Sequence, residues 1–312
     1  ESSAGSNILV SSREGEIYRI TPRRNDSVND SWMTDSGREL YKQVKSDDRI
    51  ITPSIDGESS TLADAISSAS ELLKDKKLAI VGSCRSTVEE QYLLTKLARN
   101  FKGKKFLRGH FGDDDGILLA SDRTPNLRGA LATGFSAKYP SDQLSDLSRA
   151  LSKGQFDTLL VMGEDILDSG VTRDDLKGIK VVYLGTHRNE TSALANVLIP
   201  TLTSFEKTGS FINRTFRLQS FKQAVPGPAG LLPDLHILAS LINSLSEEVE
   251  QSADLAQIWK QLSKPATSIF HKLSFSSIPS EGFQLDGKKW SELDFVEKKA
   301  LHFLPANQLQ EA

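Results

Sequence analysis

The sequence predicts an α/β fold, in which a mainly parallel sheet carries helices on both faces and follows a small β-hairpin-rich N-terminal segment. Continuous apolar runs such as KLAIVGS, FDTLLVMGED and IKVVYLGTH have the composition of strands that are buried on both faces. Segments with helical spacing of apolar residues precede these runs, and this alternation is typical of parallel sheets. Near the N-terminus, two short runs are joined by a turn sequence instead, which indicates a hairpin.

The first predicted unit covers residues 1–52. NILVSS and EIYRITPR are two short strands joined by REGE, in which Gly15 supplies the turn. TDSGRELYKQV predicts a short helix after the hairpin. TPSIDGESS is a loop by its Pro, Gly and Ser content, and it marks the boundary with the next unit.

The second predicted unit, residues 53–245, is the α/β domain. Its first helix is STLADAISSASELLKDKK, and its first strand, KLAIVGS, leads into the helix STVEEQYLLTKLARNF, for which Ser86 or Thr87 is available as the cap. LSDLSRALSKGQ, VTRDDLKG and NETSALA predict further helices, each followed by a strand. DLHILASLINSLS predicts a last helix with Asp234 as its N-cap. Residues 246–312 are weakly patterned, and we expect an irregular C-terminal tail there.

Composition excludes several classes of function. The formal charge is −3, from 38 basic and 41 acidic residues mixed along the chain, so no basic stripe favours nucleic acid as a partner. No apolar run approaches the roughly 20 residues of a bilayer span, and we expect neither direct membrane insertion nor a secretion signal. Cys84 is the single cysteine, which excludes an internal disulfide and a metal cage built of cysteines alone.

Two loops at predicted strand ends are candidates for ligand contacts. VGSCRST lies between a strand and a helix, where amides can cradle a phosphate, but it lacks the spaced glycines of a dinucleotide site and the Gly-Lys-Ser/Thr of a P-loop. A strand end followed by a capped helix is therefore the favoured interpretation, with Cys84 as a passive small residue rather than a reactive thiol. GTHRNE places His187 and Arg188 beyond another strand, on the usual ligand side of an open sheet.

The remaining polar clusters predict no metal site. GDDDG, at Asp113 to Asp115, lacks the alternate spacing and the closing Glu of a calcium loop, and a solvated acidic turn is favoured. No pair among the five histidines has metal-ligand spacing: they are His110, His187, His236, His271 and His302.

The N-terminal stretch IYRITPRRNDSVNDSWMTDSGRELY resembles the cluster-binding entry segment of the molybdopterin oxidoreductase family. That segment carries C-x2-C-x3-C-x27-C around one 4Fe–4S cluster. Here Ser2 and Ser6 stand at the second and third cysteine positions, and 27 residues separate Ser6 from Thr34 at the fourth. Hydroxyl groups cannot replace three thiolates around iron. We therefore expect a retained hairpin with no metal and no cofactor in this chain.

Within that family, the strongest similarity is to the large iron–sulfur G subunits of NADH-quinone oxidoreductase, respiratory complex I. It is carried by five further blocks in collinear order: LAIVGSCRSTVEEQYLLTKLAR, DDDGILLASDRTPNLRGA, FDTLLVMGEDIL, TSALANVLIPTLTSFEKTGSFINRTFRLQSFKQAV and PDLHILASLI. The resemblance implies a parent subunit with iron–sulfur clusters in ferredoxin-like domains. It also implies other peripheral-arm subunits as partners, and a place on the cytoplasmic or matrix side of an energy-transducing membrane.

Two hypotheses of different class follow. In the first, the chain is a non-catalytic shell of the peripheral arm, without catalytic or cofactor-binding residues. In the second, it is a reduced, formate-dehydrogenase-like enzyme whose GSCRST, GEDIL and GTHRNE loops hold a pterin dinucleotide, with His187 and Arg188 as phosphate or substrate contacts. The two differ in whether those loops form an open, basic cleft or are filled by the chain's own side chains.

Overall fold

The N-terminal hairpin forms as the sequence predicts. In the computed structural model, which describes residues 2–244 and 250–288, strands β1 (Ile8–Arg13) and β2 (Glu16–Pro22) pair antiparallel. Glu14 and Gly15 between them both have positive φ, which matches the turn to the twist of the strands. The inner face of the hairpin packs against Met33, Phe205 and Val225, so a hydrophobic cluster ties it to the rest of the chain.

A seven-stranded sheet follows the hairpin, and its main part is parallel, as predicted. Its order is β4-β3-β9-β8-β7-β5-β6, in which the five strands from β9 to β6 are parallel and the short β3 and β4 are antiparallel. These strands are β3 (Ser54–Ile55), β4 (Glu58–Ser59), β5 (Leu78–Ser83), β6 (Lys104–Arg108), β7 (Thr158–Met162), β8 (Lys180–Gly185) and β9 (Val197–Pro200).

Helices cover both faces of this sheet, because alternate strand residues point to opposite sides. Leu78 and Ile80 belong to one buried cluster, whereas Ala79 and Val81 belong to another on the opposite face. The helices of the described chain are α1 (Asp35–Glu39), α2 (Leu62–Leu73), α3 (Val88–Asn100), α4 (Leu127–Ala132), α5 (Ser145–Ser152), α6 (Asp234–Asn243) and α7 (Leu255–Ser263). The first cluster contains residues of α2, α3, α4, α6 and α7, and the second contains residues of α5. The predicted fold class is confirmed.

Some predicted elements differ from the structure. VTRDDLKG forms turns instead of a helix, and NETSALA contains only the short 3-10 helix Ser192–Leu194. In VTRDDLKG the side chains of Thr172 and Asp175 bond to each other's backbone amides, and such local bonds compete with a helix. Asp234 is the first residue of α6 rather than its N-cap, because Pro233 takes that position.

A second, three-stranded sheet was not predicted. It consists of β10 (Gly209–Ile212), β11 (Arg217–Phe221) and β12 (Phe283–Gln284), all antiparallel. β12 comes from the segment predicted as an irregular tail, so pairing with β11 orders a part of the chain whose own pattern is weak.

Helix α7 also lies in the predicted tail, and it is an ordered part of the core. Ile258, Trp259 and Leu262 are buried at helical spacing. Trp259 is fully buried, stacks edge-on against Phe270 with ring centroids 5.5 Å apart, and donates its indole N–H to Glu89 Oε1 at 2.7 Å. The described tail is therefore not irregular throughout. Residues 245–249 and 289–312 lie outside the described residues, and the division at residues 52 and 245 stays a prediction.

Over the two described stretches, 2–244 and 250–288, no helix combines the length and the apolar character that crossing a bilayer requires.

We expect Trp259→Phe to lower the free energy of unfolding by about 2–3 kcal/mol, because the buried carboxylate of Glu89 loses one donor and a small cavity forms. Urea denaturation measures this. Trp32→Phe is the matched control, since Trp32 is 67% exposed and its replacement should cost less than about 0.5 kcal/mol. Equal losses of unfolding free energy in the two variants would contradict the conclusion that Trp259 holds α7 in the core.

Candidate functional site at the carboxyl ends of the sheet

Three loops that the sequence singles out meet at the carboxyl ends of the parallel strands. The loops after β5, β7 and β8 border one cavity of about 140 Å³, with residues 201–204 after β9 on another side. Its lining includes Ser83, Arg85, Gly163 and Thr186, but neither His187 nor Arg188. The structure thus brings the predicted loops together and places the two predicted phosphate or substrate contacts outside the cavity.

A buried carboxylate that the sequence did not single out occupies this end of the sheet. Glu164, after β7, is 1% exposed. Its Oε1 accepts from Ser83 Oγ at 2.5 Å, and its Oε2 lies 2.7 Å from His110 Nε2. Arg85 and Arg108 approach the same carboxylate at 3.6 and 3.8 Å. Arg85, Arg108 and His110 therefore lie around a negative side chain of the chain itself.

The N-terminus of α3 is also satisfied by the chain's own groups. Thr87 and Glu90 form a capping box, in which Glu90 N donates to Thr87 Oγ1 at 3.2 Å and Thr87 N donates to Glu90 Oε2 at 2.9 Å. Ser83 Oγ accepts from the amide of Arg85 at 3.0 Å. Amides of the loop VGSCRST that a phosphate would require are thus already engaged, which fits the favoured interpretation of a capped helix.

Cys84 has the environment of a passive residue. It is fully buried, and burial, followed by the charges of Asp122 and Glu164, raises the pKa of its thiol well above the ordinary range. A helix N-terminus lowers the pKa of a reactive cysteine. Here burial outweighs that effect, and the side chain stays a thiol near neutral pH.

A buried cluster of one lysine and two acids lies beside the cavity. Lys207 Nζ is 2.7 Å from Glu90 Oε1 and 3.1 Å from Asp234 Oδ2. Burial, opposed by Lys207 and aided by Asp234, raises the pKa of Glu90 to about 7. Burial lowers the pKa of Lys207, but the two carboxylates outweigh it and raise that pKa above its usual value. Burial thus explains the direction for Glu90, and the two neighbouring carboxylates explain the direction for Lys207.

A larger cavity of about 980 Å³ lies beyond this cluster, along α6. Its lining carries several carboxyl groups, against Lys207 and His236 as the basic side chains. The carboxyl groups are Glu90, Glu206, Asp234, Glu250 and Asp254. This excess of negative charge repels phosphate groups.

Residues 43–50 of the N-terminal segment close the strand end next to β8. Arg49 and Glu206 form an ion pair at 2.5 Å, with side chains 6% and 2% exposed. Arg49 Nη1 also donates to the carbonyl of Thr186 at 3.2 Å. The amide of Arg188 donates to Asp48 O, and His187 Nε2 lies 2.8 Å from Gln43 O. His187 and Arg188 thus hold the N-terminal segment, and Arg49 and Glu206 are residues that sequence reasoning missed.

Two of the three residues at the family's cluster-ligand positions take part in local hydrogen bonds. Ser2 Oγ accepts from the amides of Ala4 and Ala120 at 3.2 and 3.3 Å. Thr34 Oγ1 caps α1 by accepting from Gly37 N at 3.1 Å. These two hydroxyl groups support the loop and the short helix around them. The third residue, Ser6, is half-buried.

The acidic loop forms turns, as the sequence favours. Asp115 Oδ1 accepts from the amides of Ile117, Leu118 and Leu119 at 2.8 to 2.9 Å, and these bonds lower its pKa. Among the described residues, no group of three or more His, Cys, Asp or Glu is arranged to hold a metal ion. Of the five histidines, His302 lies outside the described residues.

The fold and these loops agree with the comparisons to protein families. Residues 125–244 match the family model described as molybdopterin oxidoreductase. Residues 2–42 match the model described as NADH-ubiquinone oxidoreductase NDSU1/NuoG-like, 4Fe-4S domain. The chain therefore contains segments of both kinds, and the resemblance predicted from the sequence is confirmed.

Several curated relatives are G subunits of NADH-quinone oxidoreductase. The protein of Pseudomonas putida is 31% identical over 165 residues, which are 53% of this chain and 16% of that protein. The Pseudomonas fluorescens protein is 38% identical over 96 residues, 30% of this chain and 11% of its own. The Rickettsia conorii protein is 27% identical over 117 residues, 34% of this chain and 17% of its own. The alignments with these three relatives thus span only 11% to 17% of the relatives' length.

Among solved structures, a chain of the formyltransferase/hydrolase complex (FhcABCD) from Methylorubrum extorquens, in complex with methylofuran, is similar to this one. The TM-score is 0.44 with 9% sequence identity, over 62% of this chain and 98% of that chain.

The expectation that this chain has no cofactor is wrong. The match of residues 2–42 to a 4Fe-4S domain points to an iron–sulfur cofactor in this chain. The side chains at the compared ligand positions, Ser2, Ser6 and Thr34, are hydroxyls and fit such a cluster poorly, because clusters of this type are held by thiolates. We therefore assign no electron-transfer step to these residues.

We expect Arg49→Met to lower the free energy of unfolding by about 3–5 kcal/mol, because Glu206 would be left buried without its partner. Arg49→Met combined with Glu206→Gln should lose less than Arg49→Met alone, since the amide introduced at position 206 carries no charge. Urea denaturation of the three proteins measures both effects.

Arg188→Met is the control for this prediction. Arg188 is an exposed arginine of the same strand-end loop, and its replacement should cost less than about 0.5 kcal/mol. A loss in Arg49→Met no larger than in Arg188→Met would show that the buried pair does not hold residues 43–50 in place.

Proposed function

We propose that this chain is a non-catalytic, molybdopterin-oxidoreductase-like scaffold in the peripheral arm of an NADH-quinone oxidoreductase, whose parent complex passes electrons from NADH to quinone. The role of the chain is to pack against neighbouring subunits and to hold them in place. The family matches and the relatives among the G subunits of that complex support this assignment.

The closed strand end is the observation that carries the proposal. Pockets for drug-sized ligands enclose about 300–1,000 Å³, whereas the cavity where the three loops meet encloses about 140 Å³. A pterin dinucleotide is at least drug-sized, and it does not fit this space. The buried pair of Arg49 and Glu206 lies next to this space, because it bonds to Thr186 and Thr203, which line it.

The charges at the strand ends support the same conclusion. Phosphate groups are bound by free helix amides and unpaired basic side chains. Here the amide of Thr87 is bonded to Glu90, and Arg85 and Arg108 lie near Glu164. Arg188 is exposed and lies outside the cavity lining. Carboxylates of the chain itself thus lie next to the basic side chains at these strand ends, which supports a scaffold role over a phosphate-binding cleft.

Exposed apolar side chains on the N-terminal segment support a role in subunit contacts. Leu9, Tyr18 and Trp32 are 53%, 62% and 67% exposed. Large apolar side chains of this kind are enriched in protein interfaces. Other peripheral-arm subunits, on the cytoplasmic or matrix side of the membrane, are the partners that this proposal implies.

The test is analysis of the anaerobically purified protein for molybdenum by elemental analysis and for oxidised pterin by fluorescence. The scaffold role predicts that both are far below one equivalent per chain. Molybdenum with pterin near one equivalent would contradict it and would favour the formate-dehydrogenase-like alternative. Iron measured on the same preparation reports separately on the iron–sulfur cofactor to which the N-terminal match points.

A further inference from the structure

Strand β6 is a terminal strand of the main sheet, and most of its outer edge is unpaired. It pairs with β5 on one side and with no strand of the described chain on the other. Only its carboxyl end is covered, where Arg108 forms an isolated parallel bridge with Ser141 and Gly109 N donates to Ser141 O at 3.0 Å. Over Lys104 to Leu107, the edge offers backbone donors and acceptors of the kind that another strand can use.

A groove runs along this edge, between β6 and α5. It encloses about 650 Å³, and residues 136–147 form one of its walls. Its apolar lining includes the half-buried Tyr139, whereas Pro140, Leu144 and Leu147 next to it are buried. The groove therefore combines an unpaired strand edge with a small apolar surface beside it.

The groove is strongly basic in a chain whose net charge is −3. Five basic side chains line it: Lys104, Lys105, Lys138, Arg149 and Lys153. Asp146 is the single acidic residue of the lining, and it already pairs with Lys138 at 2.9 Å and with Arg149 at 3.4 Å. The hydrogen bond from Lys138 and these charges lower the pKa of Asp146, so it remains ionised and the local excess is four positive charges.

We propose that this groove binds an extended acidic segment of another polypeptide, which adds to the outer edge of β6 as a further strand. Backbone hydrogen bonds to the edge supply affinity, and acidic side chains meet the basic rim. The inference goes beyond the proposed scaffold role, because it rests on the sheet edge and its charges whether or not the strand ends hold a pterin.

Two alternative roles for the strand edge and its lysines predict other structural features than those observed. Lysines on an edge strand alone can serve to block strand pairing. Blocking strand pairing does not require a groove of this size beside the edge. A small anion would use the charges but not the backbone of Lys104 to Leu107. The edge, the groove and the charges together favour an acidic strand.

The experiment uses the full chain and labelled synthetic peptides. The probe is a peptide of alternating Glu and Val, compared with one of alternating Lys and Val and with an acidic peptide in which proline removes alternate amides. Fluorescence anisotropy measures binding, and hydrogen exchange measures protection of the amides of β6. We expect the Glu/Val peptide to bind, and the other two to bind at least roughly tenfold more weakly. We also expect the amides of 104–107 that do not already bond to β5 to become protected.

Charge reversal tests the basic rim. Lys104→Glu with Lys153→Glu should weaken binding of the Glu/Val peptide at least roughly tenfold. Lys222→Glu, at an exposed lysine outside the groove, should leave it unchanged. All three lysines are exposed, and circular dichroism verifies that the variants are folded.

Three outcomes would overturn the proposal. Equal binding of the Glu/Val and the Lys/Val peptides would mean that the lysines of the groove do not select an acidic partner and serve only to hinder strand pairing at the edge. Equal binding of the proline peptide would mean that no strand is added. Complete competition by inorganic pyrophosphate, without protection of β6, would identify a small-anion site.

Discussion

The buried pair of Arg49 and Glu206 is the interaction that joins the N-terminal segment to the strand ends of the main sheet. It joins the N-terminal segment to the residues after β9 across 157 positions of sequence, with both side chains almost fully removed from water. Burying two charges is costly, and further hydrogen bonds of both side chains offset part of that cost. Glu206 also accepts from the amide and the hydroxyl of Thr203, and Arg49 also donates to Thr186 O. Removing one side chain of the pair leaves the other charge buried without a partner, which destabilises the fold.

The position of residues 43–50 connects the hairpin with the sheet. Ile50, next to Arg49, packs into the apolar cluster on one face of the sheet, while the hairpin packs on Phe205 and Val225 beside Glu206. Apolar packing therefore holds both ends of the segment, and the ion pair fixes it over β8. These contacts hold the N-terminal segment against the carboxyl ends of the strands, next to the small cavity, and this arrangement supports the proposed scaffold role.

Much of the fold follows from local signals, whereas the site depends on distant contacts. The continuous apolar run of β5 and the Ser-Thr sequence before α3 predict a buried strand and a capped helix without any tertiary information. Trp259 has helical spacing with Leu262, but the segment around it is too polar to predict a helix of the core. The burial of Trp259 follows from its contact with Glu89, which lies far away in the sequence. No local pattern links Arg49 with Glu206 or Lys207 with Asp234. Glu164 stands in the GEDIL loop, but its buried partners are Ser83 at the end of β5 and His110 after β6.

The most direct measurement is a density map of the chain in its assembled complex that resolves side chains at the strand ends. A closed, non-catalytic strand end predicts continuous density for residues 43–50 across β8, with Arg49 on Glu206 and no pterin dinucleotide beside Thr186. An open cleft with Arg49 withdrawn from Glu206, and pterin density in the space it leaves, would contradict the scaffold role.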